Sequence, residues 1–172
     1  LGGGPIGALV ALVAVHRGAG SVVVSEPNDA RRALLTGLGI RTVRPDELAE
    51  LVAERTDGEG ADLTFDVTGH PSAIAVAPEI TRVRGTILVG GLFHTPPEVP
   101  LQLVTLREQT LVGARVYTSA HMDEAIALLA TGAVPATALI THEVALADAE
   151  RDAYHMLDQD RSAMKVLLRI HP

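Results

Sequence analysis

The sequence contains no cysteine and no tryptophan, and aromatic residues make up only 2% of its 172 positions. Without cysteine, the chain can form neither a disulfide framework nor a metal site built on thiolates. Hydrophobic residues nevertheless amount to 47% of the chain, so the interior must consist mainly of Ala, Val, Leu and Ile. That mixture favours a buried parallel sheet flanked by helices.

Long apolar segments and clusters of positive charge are also missing. The longest apolar run, residues 6–15, is too short to span a bilayer, and the amino terminus carries no export signal. With 14 basic against 21 acidic residues, the net charge is −7, and no basic cluster with interleaved aromatic residues occurs. Neither a nucleic acid nor a membrane is therefore expected as a partner, and a cytoplasmic location is expected.

A glycine-rich motif, Gly-Gly-Gly-Pro-Ile-Gly at residues 2–7, precedes an apolar helical segment. A tight turn that needs positive φ suits Gly2, close approach of the backbone to a pyrophosphate suits Gly4, and packing of helix on strand suits Gly7. Pro5 fits the first helical turn, where its missing N–H costs nothing. The helix directs its free N–H groups and positive dipole end at the turn, so a diphosphate suits that position.

Short apolar segments alternate with helical ones along the chain. The pattern predicts strands at residues 21–25, 41–43, 62–67, 85–90, 110–116 and 165–170, and helices at residues 8–16, 28–38, 45–55, 73–83, 122–130 and 148–157. This alternation predicts an α/β fold, a Rossmann-type doubly wound parallel sheet with helices on both faces, followed by a carboxy-terminal helix–strand segment. Right-handed crossovers would bring the carboxyl ends of the strands to one edge of the sheet.

Several of these segments, taken together and in order, resemble the nucleotide-binding half of the medium-chain, zinc-dependent alcohol and polyol dehydrogenases. That group includes sorbitol, butanediol and threonine dehydrogenases. The resemblance is carried by residues 2–7, 24–26, 65–69, 88–90, 107–108, 112–113 and 165–168. It implies a dinucleotide-binding domain at residues 1–134 with a truncated first strand, and a segment at residues 135–172 that returns to an amino-terminal catalytic domain.

The resemblance also implies which cofactor binds. Glu26 lies 22 residues after Gly4, close to the interval of about 20 at which an acid accepts hydrogen bonds from the adenosine ribose. Such an acid repels the extra phosphate of NADP, so NAD is the expected cofactor. The residues implied to contact it are Gly2, Gly4, Pro5, Ile6, Gly7, Glu26, Arg31, Thr68, Gly69, Val89, Gly90, Gly91, Leu92, Ala114, Arg115 and Val116.

These contacts divide along the cofactor. Arg31 is implied to lie over the adenine side, Thr68 and Gly69 beside the nicotinamide ribose, residues 90–92 at the nicotinamide amide, and residues 114–116 at the far rim. In this family a zinc ion, held by Cys and a His–Glu pair in the catalytic domain, polarises the alcohol oxygen. The seven histidines here show no convincing ligand spacing. No residue of the chain is therefore assigned a catalytic or metal-binding role.

The expected function is that of the NAD-binding portion of a zinc-dependent oxidoreductase, which transfers a hydride between nicotinamide and a small-molecule alcohol or ketone. A homo-oligomer, either dimer or tetramer, is expected because family members often pair the strand near residues 110–116 across a twofold axis. One alternative is a stand-alone module that senses NAD(H) without catalysis. Another is a zinc-free quinone-type reductase, a group that normally prefers NADPH and lacks the acid at the position of Glu26.

Overall fold

The computed structural model describes residues 1–156 and 163–170. The chain forms two compact units. Unit 1 consists of Leu1–Gly2 and Val43–Tyr117, and unit 2 consists of Gly3–Thr42 and the chain from Thr118 onward. The division into domains at residues 1–134 and 135–172 stays a prediction from the sequence.

Helices and strands alternate along most of the chain, as the sequence predicted. The strands are β1 (Val23–Ser25), β2 (Arg41–Val43), β3 (Ala61–Asp66), β4 (Thr81–Val89), β5 (Thr110–Gly113), β6 (Ile140–Ala145) and β7 (Lys165–Arg169). The α-helices are α1 (Pro5–His16), α2 (Asp29–Gly37), α3 (Leu48–Arg55), α4 (Pro71–Ile80), α5 (Leu101–Leu106) and α6 (Ser119–Ala130). Short 3-10 turns cover Pro45–Glu47, Ala136–Leu139 and Leu146–Asp148, and a π-helical segment covers Ala149–Tyr154.

Unit 1 is built on a three-stranded parallel sheet in the order β3–β4–β5. Leu1 lies beside β3, because its amino-terminal ammonium group donates to the Phe65 carbonyl and its own carbonyl accepts from Val67 N, the arrangement of a parallel pair. Helix α4 covers β3 and β4. The core residues between them are Ile74, Ala77 and Ile87, with Leu1, Val89, Phe93 and Val99 packed around them.

Unit 2 contains two pairs of strands, β1 with β2 and β6 parallel to β7. The buried face of α1, made of Ala8, Ala11 and Leu12, packs into a core with residues of β1 and α2. That core also receives side chains from the carboxy-terminal part of the chain, namely Val134, Leu139 and Met164. The start of the chain and its last third therefore share one hydrophobic interior.

The predicted α/β architecture with parallel strands is confirmed, since β3–β4, β4–β5 and β6–β7 all pair in parallel. The strands are hydrogen-bonded in three separate groups in the described residues, whereas the sequence predicted one sheet. Leu1 forms two hydrogen bonds with residues of β3 and its end but is not itself part of an assigned strand.

Some predicted boundaries were wrong. The helix predicted at residues 73–83 ends at Ile80, because Thr81 adopts extended backbone (φ −92°, ψ 134°) and begins β4 directly. Pro78 lies inside this helix, and a proline supplies no N–H for the helical hydrogen bond. The predicted strand at residues 110–116 ends at Gly113.

Two elements, α5 and β6, were not predicted at all. Helix α5 begins directly after Pro100, and β6 reads Ile-Thr-His-Glu-Val-Ala, with too few apolar residues to signal a strand. The helix predicted at residues 148–157 corresponds to a 3-10 turn and a π-helical segment up to Tyr154, and residue 157 lies outside the described residues.

Candidate functional site

The glycine turn of unit 2 leads into α1, whose first helical residue is Pro5. Gly4 is the N-cap residue, and no side chain of the described residues caps the helix. An ideal Cβ on Gly4 would have only Nη1 of Arg31 near it, at 3.8 Å. Gly7 is buried, whereas Ile6 is 61% exposed. The backbone at Gly4 is therefore open, and the positive end of the helix dipole is available to an anion.

Glu26 follows β1 directly and is only 4% exposed. Its Oε2 accepts a 2.7 Å hydrogen bond from the backbone N–H of Gly3, and its Oε1 accepts a 2.9 Å hydrogen bond from Asn28 N. The carboxylate is thus fixed against the glycine turn by two backbone amides. The sequence predicted a role for Glu26 but none for Gly3, whose contribution depends on a side chain 23 positions away.

Arg31 lies on α2 and reaches back toward the turn. Its Nη2 donates a 2.9 Å hydrogen bond to the Ala163 carbonyl, and its Nη1 is the atom that approaches Gly4. Its Nε is buried and has no hydrogen-bond partner in the part of the chain that the structure describes. The structure therefore brings the guanidinium next to Gly4, which adds positive charge at the turn.

In unit 1, Gly2 and Thr68 lie in contact. Gly2 has a φ of +95°, the left-handed conformation that the sequence required of it. An ideal Cβ on Gly2 would lie 2.8 Å from Cγ2 of Thr68, so a side chain there would clash as well as strain the backbone. The conformation and the close approach both explain why glycine occupies this position.

The loops after β3 and β4 are in close backbone contact. Gly69 has a φ of +66°, and an ideal Cβ on it would lie 2.2 Å from the Leu92 carbonyl oxygen. An ideal Cβ on Gly91 would lie 2.3 Å from Gly69 N. The sequence grouped these two loops at one edge of the sheet, and the structure brings them into direct contact.

Asp66, the last residue of β3, fixes both loops and was not among the predicted site residues. Its backbone carbonyl accepts hydrogen bonds from Gly90 N at 2.8 Å and Gly91 N at 2.9 Å. Its side chain is fully buried, and Oδ1 accepts from Thr68 N and from Thr68 Oγ1. The sequence did offer one signal for Asp66, its position as an acid at the end of a predicted strand. A carboxylate at such a position is rarely buried without a structural or functional reason.

The remaining predicted residues lie after β5. Ala114 N donates a 2.9 Å hydrogen bond to the carbonyl of Val89, which joins this segment to the end of β4. Residues 114–116 are exposed, and Val116 is 86% exposed. The predicted residues thus fall into two sets: unit 2 holds Gly4, Pro5, Ile6, Gly7, Glu26 and Arg31, and unit 1 holds Gly2, Thr68, Gly69, Val89, Gly90, Gly91, Leu92, Ala114, Arg115 and Val116.

The described part of the chain contains neither a cluster of metal ligands nor a membrane-spanning helix. Residues 1–156 and 163–170 include no group of three or more His, Asp or Glu side chains arranged to hold a metal ion. The described residues therefore do not supply the donor set of a zinc site. Over the same residues, no helix combines the length and the apolar character needed to cross a membrane.

Parallel strands, a glycine turn at an open helix start and an acid at the end of the next strand define a dinucleotide-binding fold. A sequence profile described as zinc-binding dehydrogenase matches residues 5–131. The chain belongs to the zinc-binding dehydrogenase family, and the predicted resemblance to medium-chain alcohol and polyol dehydrogenases is confirmed.

Individual relatives agree with this assignment. The 2-dehydro-3-deoxy-L-galactonate 5-dehydrogenase of Pseudoalteromonas atlantica is 41% identical over 170 residues, which cover 98% of this chain and 49% of that enzyme. The chain thus spans about half the length of the curated relatives it matches. These relatives are named as enzymes, so nothing favours the alternative of a non-catalytic NAD sensor.

Solved structures confirm the Rossmann-type fold. The crystal structure of 2R,3R-butanediol dehydrogenase from Bacillus subtilis matches with a TM-score of 0.88 at 27% identity, over 98% of this chain and 49% of that one. An alcohol dehydrogenase from E. coli CFT073, complexed with NADH, matches with a TM-score of 0.85 at 25% identity, over 98% of this chain and 50% of that one.

Proposed function

We propose that this chain binds NAD(H) and forms the coenzyme-binding portion of a zinc-dependent dehydrogenase. The observation that carries the proposal is the buried Glu26 carboxylate, hydrogen-bonded to the glycine turn at the start of α1. Family membership supports the proposal, and so does the NADH complex of the E. coli relative. The reaction proposed for the whole protein is hydride transfer between nicotinamide and an alcohol or ketone.

The open turn is the proposed binding place of the diphosphate. The free space beside the half-buried backbone of Gly4 admits close approach of anionic oxygens, and the N-terminus of α1 attracts them. The guanidinium of Arg31 adds a full positive charge beside the same glycine. Pro5, Ile6 and Gly7 are proposed to complete this contact as the first turn of the helix.

Glu26 is the proposed binding group for the adenosine ribose. A carboxylate offers about four lone-pair positions, of which the backbone amides of Gly3 and Asn28 use two. Two positions remain for the two ribose hydroxyls of NAD. The 2′-phosphate of NADP would instead place like charges in contact, so NADP should be rejected.

The residues of unit 1 are proposed to contact the nicotinamide half of the cofactor. Thr68 and Gly69 would border its ribose, residues Val89–Leu92 its carboxamide, and residues 114–116 the far rim. When bound, the nicotinamide ring supplies the hydride chemistry. The role of this chain is to orient the cofactor through loops fixed by Asp66. Zinc and its ligands are proposed to belong to the rest of the whole enzyme.

Strand β5 supports the proposal of a homo-oligomer, either dimer or tetramer. It is the last strand of its sheet, and all four of its residues are exposed, including Leu111 and Val112. An uncovered strand edge of this kind pairs readily with a second copy of the same strand. A small-molecule substrate and a cytoplasmic location stay predictions from the sequence.

The proposal is tested by calorimetric titration of the full-length protein with NADH and NADPH. We expect NADH to bind at least about tenfold more tightly, and Glu26→Gln to weaken NADH binding by about ten- to a hundredfold, because a charge-assisted hydrogen bond contributes about 1.5–3 kcal/mol. Glu54→Gln, the same change at an exposed position of α3, is the matched control. Absence of NADH binding, or tighter binding of NADPH, would show that the proposed function is wrong.

A further inference from the structure

We infer that Gly3 determines coenzyme specificity in this protein, because its missing side chain leaves the space that the carboxylate of Glu26 needs. The inference rests on the proposed function. In the Gly-x-Gly fingerprint, the position of Gly3 is the variable one, and the motif alone assigns it no task. The structure assigns it one through its contacts with Glu26.

The reason for glycine at this position is space. Gly3 does not have the positive φ found at Gly2. An ideal Cβ on Gly3, however, would lie 2.8 Å from Cβ of Glu26, 2.9 Å from its Cγ and 3.1 Å from its Oε2. Rotation about χ1 could move the Cγ and the carboxylate, but the Cβ of Glu26 is fixed to its own backbone. A methyl group on Gly3 must therefore displace either the turn or the acid.

The same residue also holds the carboxylate in place. Gly3 N donates its 2.7 Å hydrogen bond to Oε2, while Asn28 N holds Oε1. Glu26 is buried, so its charge has no alternative position in solvent without losing both partners. Glutamate carries one methylene more than aspartate, and a longer side chain has more conformations to lose when it is fixed. The hydrogen bond from Gly3 N offsets the conformational entropy that the longer side chain loses.

A fixed carboxylate discriminates between coenzymes better than a mobile one. If Glu26 could swing away, a 2′-phosphate could occupy the space that it leaves, and the repulsion would be avoided. Because Gly3 and Asn28 hold both oxygens, the 2′-phosphate of NADPH would have to bind directly beside the Glu26 carboxylate. Gly3 is thus a positioning residue, which acts on the cofactor through Glu26.

The test is a double-mutant cycle on the full-length protein, with the ratio of NADH to NADPH affinity as the readout. Gly3→Ala should reduce this ratio by about tenfold or more. In a Glu26→Gln background, Gly3→Ala should produce no further loss of the ratio, because the charge on which Gly3 acts is already absent. Gly20→Ala is the matched control, since an ideal Cβ at Gly20 meets no described atom within 4 Å and its φ is not positive.

Hydrogen exchange of the Gly3 amide gives a second readout that does not require Gly3→Ala to fold. The amide should exchange slowly in the wild-type protein without cofactor, and at least about tenfold faster in Glu26→Ala, where the amide has lost its side-chain acceptor. Equal exchange in the two proteins, or a Gly3→Ala variant that keeps the wild-type preference for NADH, overturns the inference and leaves the proposed function standing. A wild-type protein that binds no NADH overturns both.

Discussion

The side chains of Asp66 and Thr68 are joined by a 2.6 Å hydrogen bond, in which the threonine hydroxyl donates to Oδ1 of the buried carboxylate. The backbone N–H of Thr68 donates to the same oxygen at 2.9 Å. The hydroxyl in turn accepts a 2.9 Å hydrogen bond from His70 N. Thr68 therefore connects the end of β3 to the start of α4, and it fixes the loop that we propose to border the nicotinamide ribose.

Replacing Thr68 by valine tests the contribution of this hydroxyl. Thr68→Val keeps the methyl group near Gly2 but removes both hydroxyl hydrogen bonds, so the free energy of unfolding should fall by about 1–2 kcal/mol. Thr68→Ser retains both bonds and should change it by less than about 1 kcal/mol. Urea unfolding of the two variants measures the difference. Equal free energies of unfolding for the two variants would mean that the hydroxyl does not contribute to stability.

The close contact of the loops after β3 and β4 predicts a large cost for a side chain at Gly91. An added Cβ would lie 2.3 Å from Gly69 N, and backbone atoms cannot rotate away. Gly91→Ala should therefore destabilise the protein by about 1–3 kcal/mol, the usual cost of overpacking. Gly113→Ala is the control, because no described atom lies within 4 Å of its ideal Cβ. Thermal unfolding should separate the two variants, and a Gly91→Ala protein as stable as the control would contradict the described contact.

The carboxy-terminal end of α4 is capped by side chains from outside the helix. Nη1 of Arg107 donates to the carbonyls of Pro78, Glu79 and Thr81. Nε2 of Gln109 donates to the carbonyls of Pro78 and Thr81 as well as that of Arg82. These carbonyls include those left without partners where the helix ends. The two side chains thus satisfy an overlapping set of acceptors.

This overlap predicts coupling between the two positions. Arg107→Met should lower the free energy of unfolding by about 1–3 kcal/mol, while the double variant with Gln109→Leu should lose more than the sum of the single losses, because each residue compensates in part for the other. A urea unfolding cycle measures the coupling. Strictly additive losses would show that the two caps act independently.

The proposed oligomer predicts that charge on the open edge of the sheet separates its subunits. Leu111→Lys combined with Val112→Lys places two positive charges on each β5, so two copies should repel each other. Sedimentation equilibrium should then report monomers. Leu106→Lys, at an exposed position of α5, serves as the control and should leave the assembly intact. An assembly that survives the β5 substitutions would place its interface elsewhere.

The sequence was sufficient to predict most elements in the first 90 residues. There, β-branched strands such as β1 are bounded by glycine or proline, and the glycine turn identifies the start of α1 directly. The signal fails at β6, where Thr141, His142 and Glu143 form an uninterrupted polar run, and at the end of α4, where the chain passes into β4 without a turn. Local sequence patterns cannot show a direct transition from helix to strand when distant side chains such as Arg107 stabilise it.

The candidate site was predictable only in part, for the same reason. Glu26 and the glycines of the turn follow a spacing that can be read along the chain. The tasks of Gly3 and Asp66 depend on contacts formed only after folding: a side chain that returns over 23 residues, and a buried carboxylate that organises two loops. No sequence spacing encodes these contacts.

Gly4→Ala is the most direct test of the claim that the open turn holds a dinucleotide. Gly4 has extended backbone (φ −68°, ψ −176°), and an ideal Cβ would meet only Arg31, at an ordinary 3.8 Å. The protein itself should therefore tolerate alanine, whereas a diphosphate that contacts this backbone should not. We predict that calorimetric titration of Gly4→Ala with NADH shows a loss of affinity of at least about tenfold, with an unchanged urea midpoint. A variant that binds NADH as tightly as the wild-type protein would contradict this account.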